Sequence, residues 1–134
     1  MDERSTTGTG PVLTAAQRRT AVGRVGEDMA ARHVRELGWE VLDRNWRGTR
    51  GELDLVARDG DEVVVVEVKT RTTEGFGHPA LAVHGAKLAR LGRLAGQWLA
   101  EHEVHARSVR IDVVAIVLTG EGGPRLEHLR GVQA

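Results

Sequence analysis

From Thr14 to Leu37 the apolar residues recur at helical spacing, and Val25, Met29, Val34 and Leu37 make up the predicted buried side of a first helix. Thr14-Ala15-Ala16-Gln17 reads as a capping box at its start, and Gly38 as its stop. Gly23 and Gly26 weaken the first half of that helix. Trp39 to Trp46 then reads as a strand, with Asp43 and Asn45 arguing against burial on both faces. A polar connection, Arg47-Gly48-Thr49-Arg50, leads to two strands, Gly51 to Arg58 and Glu62 to Arg71. They flank Asp59-Gly60, the strongest hairpin signal in the chain. Thr72 to Pro79 is a loop containing Gly75 and Gly77, and Gly75-Phe76-Gly77 reads either as a loop over a site or as a plain turn. Leu88, Leu91, Leu94, Ala95, Trp98 and Leu99 form one apolar stripe of a second helix. Ser108 to Leu118 is a buried strand and Arg125 to Val132 a short last one. The order αβββαβ predicts an α/β fold, one mixed sheet with helices against it.

The hairpin carries the candidate chemistry. With Asp59-Gly60 as a two-residue turn, Arg58 pairs with Asp61, Glu52 faces Glu67 and Asp54 faces Val65. Alternation then projects Glu52, Asp54, Val65, Glu67 and Lys69 from one face, and Leu53, Leu55, Ala57, Val64, Val66 and Val68 from the other. Asp54 and Glu67 become diagonal neighbours, roughly 7–8 Å apart at the backbone. Clustered carboxylates on a sheet face repel one another, and a divalent cation removes that cost. Oxygen donors of this kind suit Mg²⁺, with Mn²⁺ as the alternative. Lys69 lies two residues beyond Glu67 on the same face. A lysine, unlike an arginine, can give up a proton, so it can orient or deprotonate an attacking water.

Composition sharpens that point. Of 19 basic side chains only Lys69 and Lys87 are lysines, which leaves 17 arginines. The 19 acidic side chains bring the formal charge to zero, so the chain is no electrostatic coat for nucleic acid, although a locally basic groove is compatible with it. At 134 residues there is room for one domain, expected over 14–134 behind a disordered tail at 1–13. There is no cysteine, which excludes disulfides and thiolate chemistry. The longest apolar runs, Val63–Val66 and Val113–Leu118, fall far short of the ~20 residues that span a bilayer. The N-terminus has no apolar signal-peptide core, so a cytoplasmic protein is expected, with no membrane partner.

Asp54, twelve intervening residues and Glu67-Val68-Lys69 resemble the Asp…Glu-x-Lys signature of the PD-(D/E)xK nuclease superfamily. The wider text resembles the YraN-like bacterial proteins, related to Holliday-junction resolvases. The likeness lies in Gly26-Glu27, Arg44-Asn45-Trp46, Gly51-Glu52-Leu53-Asp54-Leu55-Val56 and Val66-Glu67-Val68-Lys69-Thr70-Arg71. It continues through Lys87 and Arg110-Ile111-Asp112-Val113-Val114, so that residues 21 to 118 are covered. The resemblance implies a restriction-endonuclease-like core, Asp54 and Glu67 as metal ligands, Lys69 as the catalytic lysine and Glu27 as an accessory acid. The Pro that often precedes the aspartate is replaced by Leu53. On that basis the Val68 carbonyl is a third candidate metal ligand. Arg71, Lys87, Arg90 and Arg93 are candidates for gripping a nucleic-acid backbone.

The function expected is metal-dependent hydrolysis of phosphodiester bonds, in DNA of branched or damaged structure, with RNA not separable by sequence. A nucleic-acid-binding or scaffold protein of the same fold with little hydrolysis is the other reading. A core this small has little surface for substrate selection, so a homodimer or a partner protein fits either reading. Glu52 reads as a supporting acid rather than a ligand, and Glu27 equally as a partner for an arginine. A solvated helix face accounts adequately for Arg90, Arg93, Gln97 and Glu101. Arg110 and Asp112 read as a structural pair, and the six histidines show no metal-ligand spacing. With one Phe and no Tyr, extensive base stacking is not expected.

Overall fold

A computed structural model describes residues 12–73 and 83–133. Residues 1–11 of the expected tail lie outside the described residues, as does most of the expected loop, with Gly75, Phe76 and Gly77. The elements are α1 (Ala15–Glu36), β1 (Glu40–Gly48), β2 (Gly51–Asp59), β3 (Glu62–Arg71), α2 (Gly85–His102), β4 (Ser108–Val117) and β5 (Arg125–Leu129). The strands form one sheet in the order β1-β2-β3-β4-β5. Neighbours are antiparallel except β3 and β4, which run parallel because α2 carries the chain back between them. This mixed α/β architecture is compatible with a restriction-endonuclease-like core. No described helix is long and apolar enough to cross a membrane.

α1 and α2 cover opposite faces of the sheet. Ala30, Ala31 and Val34 of α1 pack on Leu55, Ala57, Val64, Val66, Val114 and Ile116. Leu91, Leu94, Ala95 and Trp98 of α2 pack on Leu53, Val56, Val63, Val65 and Val113. The unbroken Val63–Val66 run follows from this, since β3 is central and buried on both sides. α1 starts at the expected capping box, with the Thr14 hydroxyl accepting from the Gln17 N–H and the Gln17 side chain accepting from the Thr14 N–H. It stops before Gly38, whose φ of 90° suits glycine.

Three expectations are corrected. Val25 and Leu37 are exposed, and the inner side of α1 is made of Gly26, Ala30, Ala31 and Val34. The small residues are needed because the helix lies close on β3: a Cβ at Gly26 would overlap the Thr70 side chain. The hairpin turn is Gly60-Asp61, closed by the pair Asp59–Glu62, with Gly60 at positive φ in the first turn position. Each residue's partner is therefore displaced by two, the faces are preserved, and the register continued past Leu55–Val66 sets Asp54 opposite Glu67 rather than diagonal to it. Lastly, Leu53 does not share a face with Leu55 but packs under α2 with Val56.

Candidate active site

The break in alternation at Leu53 is what positions Asp54. Across the β1–β2 ladder Arg44 pairs with Leu55 and Trp46 with Leu53, which leaves Asn45 across from Asp54. Asn45 has a φ of 53°, a left-handed conformation that asparagine tolerates better than most residues. Two consecutive β1 residues consequently address α1. Arg44 donates to Asp28 at 2.6 Å, and the Asn45 side chain hydrogen-bonds Glu27. Trp46 returns to the α2 side. The left-handed Asn45 in β1 goes with a change of layer in β2, Leu53 on the α2 side and Leu55 on the α1 side, and Asp54 sits at that change.

Asp54 then closes a fork in the sheet. Ladder pairing between β2 and β3 ends at Leu55–Val66, while β3 stays paired with β4 as far as Arg71–Val117. Just past the fork the Val68 backbone N–H donates to Asp54 Oδ2 at 2.9 Å, so a carboxylate takes the place of a strand. Glu67, 8% exposed, is the neighbour with which Asp54 also shares a side-chain hydrogen bond. Burial, then the nearby Glu67 charge, push the Asp54 carboxyl up to about 7, against the pull of the Val68 N–H, and Glu27 adds to the rise. Burial likewise pushes Glu27 up, with the Asn45 hydrogen bond acting the other way and the Glu52 charge adding to the rise. Three acids from three separate elements, Glu27 of α1, Asp54 of β2 and Glu67 of β3, are thus brought together.

The remaining expected residues divide into two groups. Lys87 stands at the centre itself, its Nζ 2.5 Å from Glu67 Oε2, rather than out among backbone-gripping cations. Lys69 is exposed and lines, with Glu27 and Arg71, a cleft of about 920 Å³ between α1 and the end of β3. Glu52 is exposed and reaches Arg47 at 3.4 Å. Arg90 and Arg93 line a different cleft, of about 570 Å³, beside Thr49, Arg50, Leu94 and Gln97. Gln97 spans Thr49 and Glu101, so the polar stripe of α2 is partly tied into the β1–β2 turn.

The donor set suits a hard divalent cation on two carboxylates. The described residues hold no group of three or more His, Asp or Glu side chains placed to share a metal ion. Mg²⁺ needs only one or two carboxylates and keeps its waters. A half-buried carboxyl raised by a second carboxylate is the local cost that such a cation removes.

A family model described as "Uncharacterised protein family UPF0102" matches residues 26–116. The chain belongs to UPF0102. A UPF0102 protein of Beutenbergia cavernae is 60% identical over 114 residues, covering 85% of this chain and 97% of that one. One from Arthrobacter sp. (strain FB24) is 52% identical over 111 residues, 83% and 94% of the two chains. One from Streptomyces griseus is 51% identical over 115 residues, 85% and 97%. The resemblance to YraN-like proteins is borne out at the level of family. The UPF0102 span takes in Glu27, Asp54, Glu67, Val68, Lys69 and Lys87, and begins after Arg18 and Arg19.

Several groups around this UPF0102 site were not legible as partners. Asn45 carried a signal, a polar residue inside a strand, but not its left-handed backbone. Arg18 and Arg19, which line the larger cleft, were not among the expected cations, and their adjacency in the first helix is the one signal they carry. On the α1 face of β4 the expected Arg110–Asp112 pair extends into a chain. Asp112, wholly buried, accepts from Arg110, from the Gly131 N–H and from His128, which in turn meets His33 at 2.9 Å. Residues 95 apart in sequence gave no sign of that contact.

Proposed function

We propose that the protein hydrolyses phosphodiester bonds in nucleic acid, with DNA as substrate and a divalent cation, Mg²⁺ or Mn²⁺, as cofactor. The observation that carries this reading is the half-buried Asp54 carboxyl beside the buried Glu67, at a fork in the sheet next to a cleft lined by Lys69. Asp54 and Glu67, with the Val68 carbonyl, would hold the cation, which supplies polarisation of the phosphate and acidification of a water. The Val68 N–H fixes Asp54 Oδ2, so the carboxylate is oriented before any ligand arrives. Lys69 lines the cleft, where its ammonium would orient the attacking water and offset charge developing on the phosphate oxygens. Glu27, held by Asn45, keeps the centre acidic from the α1 side, and Glu52 supports it from β2. Arg71 lies along the same cleft as a backbone contact.

A second reading, a nucleic-acid-binding or scaffold protein with little hydrolysis, is favoured by one contact. Lys87 sits on Glu67 at 2.5 Å, so the chain's own cation already offsets that carboxylate. Cleavage of a panel of branched, single-stranded and duplex DNA and of RNA, with Mg²⁺ or Mn²⁺, decides between the two. The nuclease reading expects metal-dependent products that fall by about 10²-fold or more in Lys69→Ala. Wild type without products on any substrate leaves the scaffold reading.

A further inference from the structure

The cleft between α1 and the end of β3 is more basic than a carboxylate centre needs beside it. Among the described residues, Arg18, Arg19 and Lys69 line it, together with Arg71, and Glu27 is the one acid in the lining, in a chain whose formal charge is zero. Grouped like charges repel, and an anionic ligand relieves them. The cleft also has a direction. At one end Glu27 lines it and acts on Asp54, so that end adjoins the carboxylate centre. At the other, Arg18 and Arg19 stand exposed in the first turns of α1. Arg18 spends one guanidinium donor on the Leu13 carbonyl, at 2.9 Å, which leaves the rest of its five for a ligand.

The second basic cleft lacks this connection. Its lining of Arg50, Arg90 and Arg93 with Thr49, Leu94 and Gln97 includes none of Glu27, Asp54 and Glu67. From Arg19 to Glu27 the helix advances roughly 12 Å at ~1.5 Å per residue. A strand carries a phosphate every ~3.4 Å of axis when stacked as in a duplex and every roughly 6 Å when extended, so the arginine pair stands about two to three phosphates from the centre. A row of cations leading to an acidic centre fits a ligand with evenly spaced anionic groups, the phosphodiester backbone of a nucleic-acid strand.

We propose that Arg18 and Arg19 form a phosphate-gripping subsite, so that one nucleic-acid strand enters along the α1–β3 cleft and not across Arg90 and Arg93. The direction of entry rests on the nuclease reading of the Asp54 centre; the grip itself does not. The test is fluorescence anisotropy of a labelled single-stranded oligodeoxynucleotide with the full chain carrying Asp54→Asn, without metal, so that binding is read apart from cleavage.

Arg18→Ala/Arg19→Ala in that background is expected to bind about tenfold more weakly, with the slope of log K against log salt flatter by about 1.4 for two lost phosphate contacts. Arg18→Lys/Arg19→Lys keeps both charges and is expected to stay near the parent, which separates lost charge from a damaged helix. Arg90→Ala/Arg93→Ala is expected to change affinity less than about twofold, as for surface charges away from the ligand. An unchanged α1 alanine pair, an equal loss in the α2 pair, or a parent that does not bind the oligonucleotide overturns the subsite. Binding that depends on Arg18 and Arg19 in a protein that never cleaves leaves the subsite standing and removes the nuclease reading. Metal-dependent cleavage with an unaffected α1 pair does the reverse.

Discussion

Replacing Asp54 by Asn is expected to stabilise the metal-free protein. The Asp54 carboxyl is raised from an ordinary 3.8 to about 7, by burial first and by Glu67 second. The folded state therefore keeps this proton up to about pH 7, whereas the unfolded chain releases it near pH 4. Between those values the folded state binds more protons, so stability falls as pH rises, and the full penalty is present above pH 7. At ~1.36 kcal/mol per tenfold in proton affinity the penalty is at most about 4 kcal/mol. Asn retains an oxygen for the Val68 N–H, and its NH₂ can donate to Glu67, so a gain of about 2–4 kcal/mol is expected at pH 8. Urea denaturation of both proteins in EDTA, from about pH 4 to pH 8, reads the difference directly. It should be near zero at the acid end, grow with pH and level off above about pH 7. A difference that is absent at pH 8, or that does not vary with pH, refutes the argument that Asp54 is a strained acid.

Gly23 and Gly26 should part company when each becomes Ala. Nothing lies within 4 Å of a Cβ at Gly23, so Gly23→Ala gains about 0.5–1 kcal/mol of helix stability, whereas Gly26→Ala meets Thr70 and costs about 1–3 kcal/mol. Thermal denaturation of the two variants gives both signs at once. Burial alone would raise the Asp112 carboxyl, but His128, Arg110 and the Gly131 N–H outweigh it and hold the carboxyl below its ordinary value. Its contribution is present above the unfolded value and is lost as pH falls through the folded one. Asp112→Ala should cost about 3 kcal/mol or more by urea titration at neutral pH, by leaving Arg110 and His128 without their buried partner. Lys87→Met removes the cation that competes for Glu67, and calorimetry should show Mg²⁺ binding tightened by about tenfold, or ~1.4 kcal/mol. Unchanged or weaker binding places Lys87 among the groups that support the metal-binding form.

The elements were legible because their signals are local. The Thr14–Gln17 capping box, the leucine stripe of α2 and the valine run of β3 each state their element within a few residues. The Asp54–Glu67 proximity was legible only as far as parity. Moving the turn by one residue, from Asp59-Gly60 to Gly60-Asp61, shifts the cross-strand register by two, so the shared face survives while the pairing changes. Period-two alternation has no way to announce the kink at Asn45, and without it Leu53 is assigned to the wrong layer. The inner side of α1 escaped for a related reason. Hydrophobicity favours Val25 and Leu37, but the close approach of α1 to Thr70 selects Gly26, Ala30 and Ala31. Contacts such as Lys87 on Glu67 and His33 on His128 join side chains far apart in the chain, and no spacing rule reaches them.

The central claim, that Asp54 and Glu67 form a cation site, is tested most directly by calorimetric titration of Mg²⁺ into wild type and Asp54→Ala at about pH 8, where Asp54 is ionised. The account predicts a single saturable site in wild type and no measurable site in the variant. Equal binding in both proteins, or none in wild type, would contradict it.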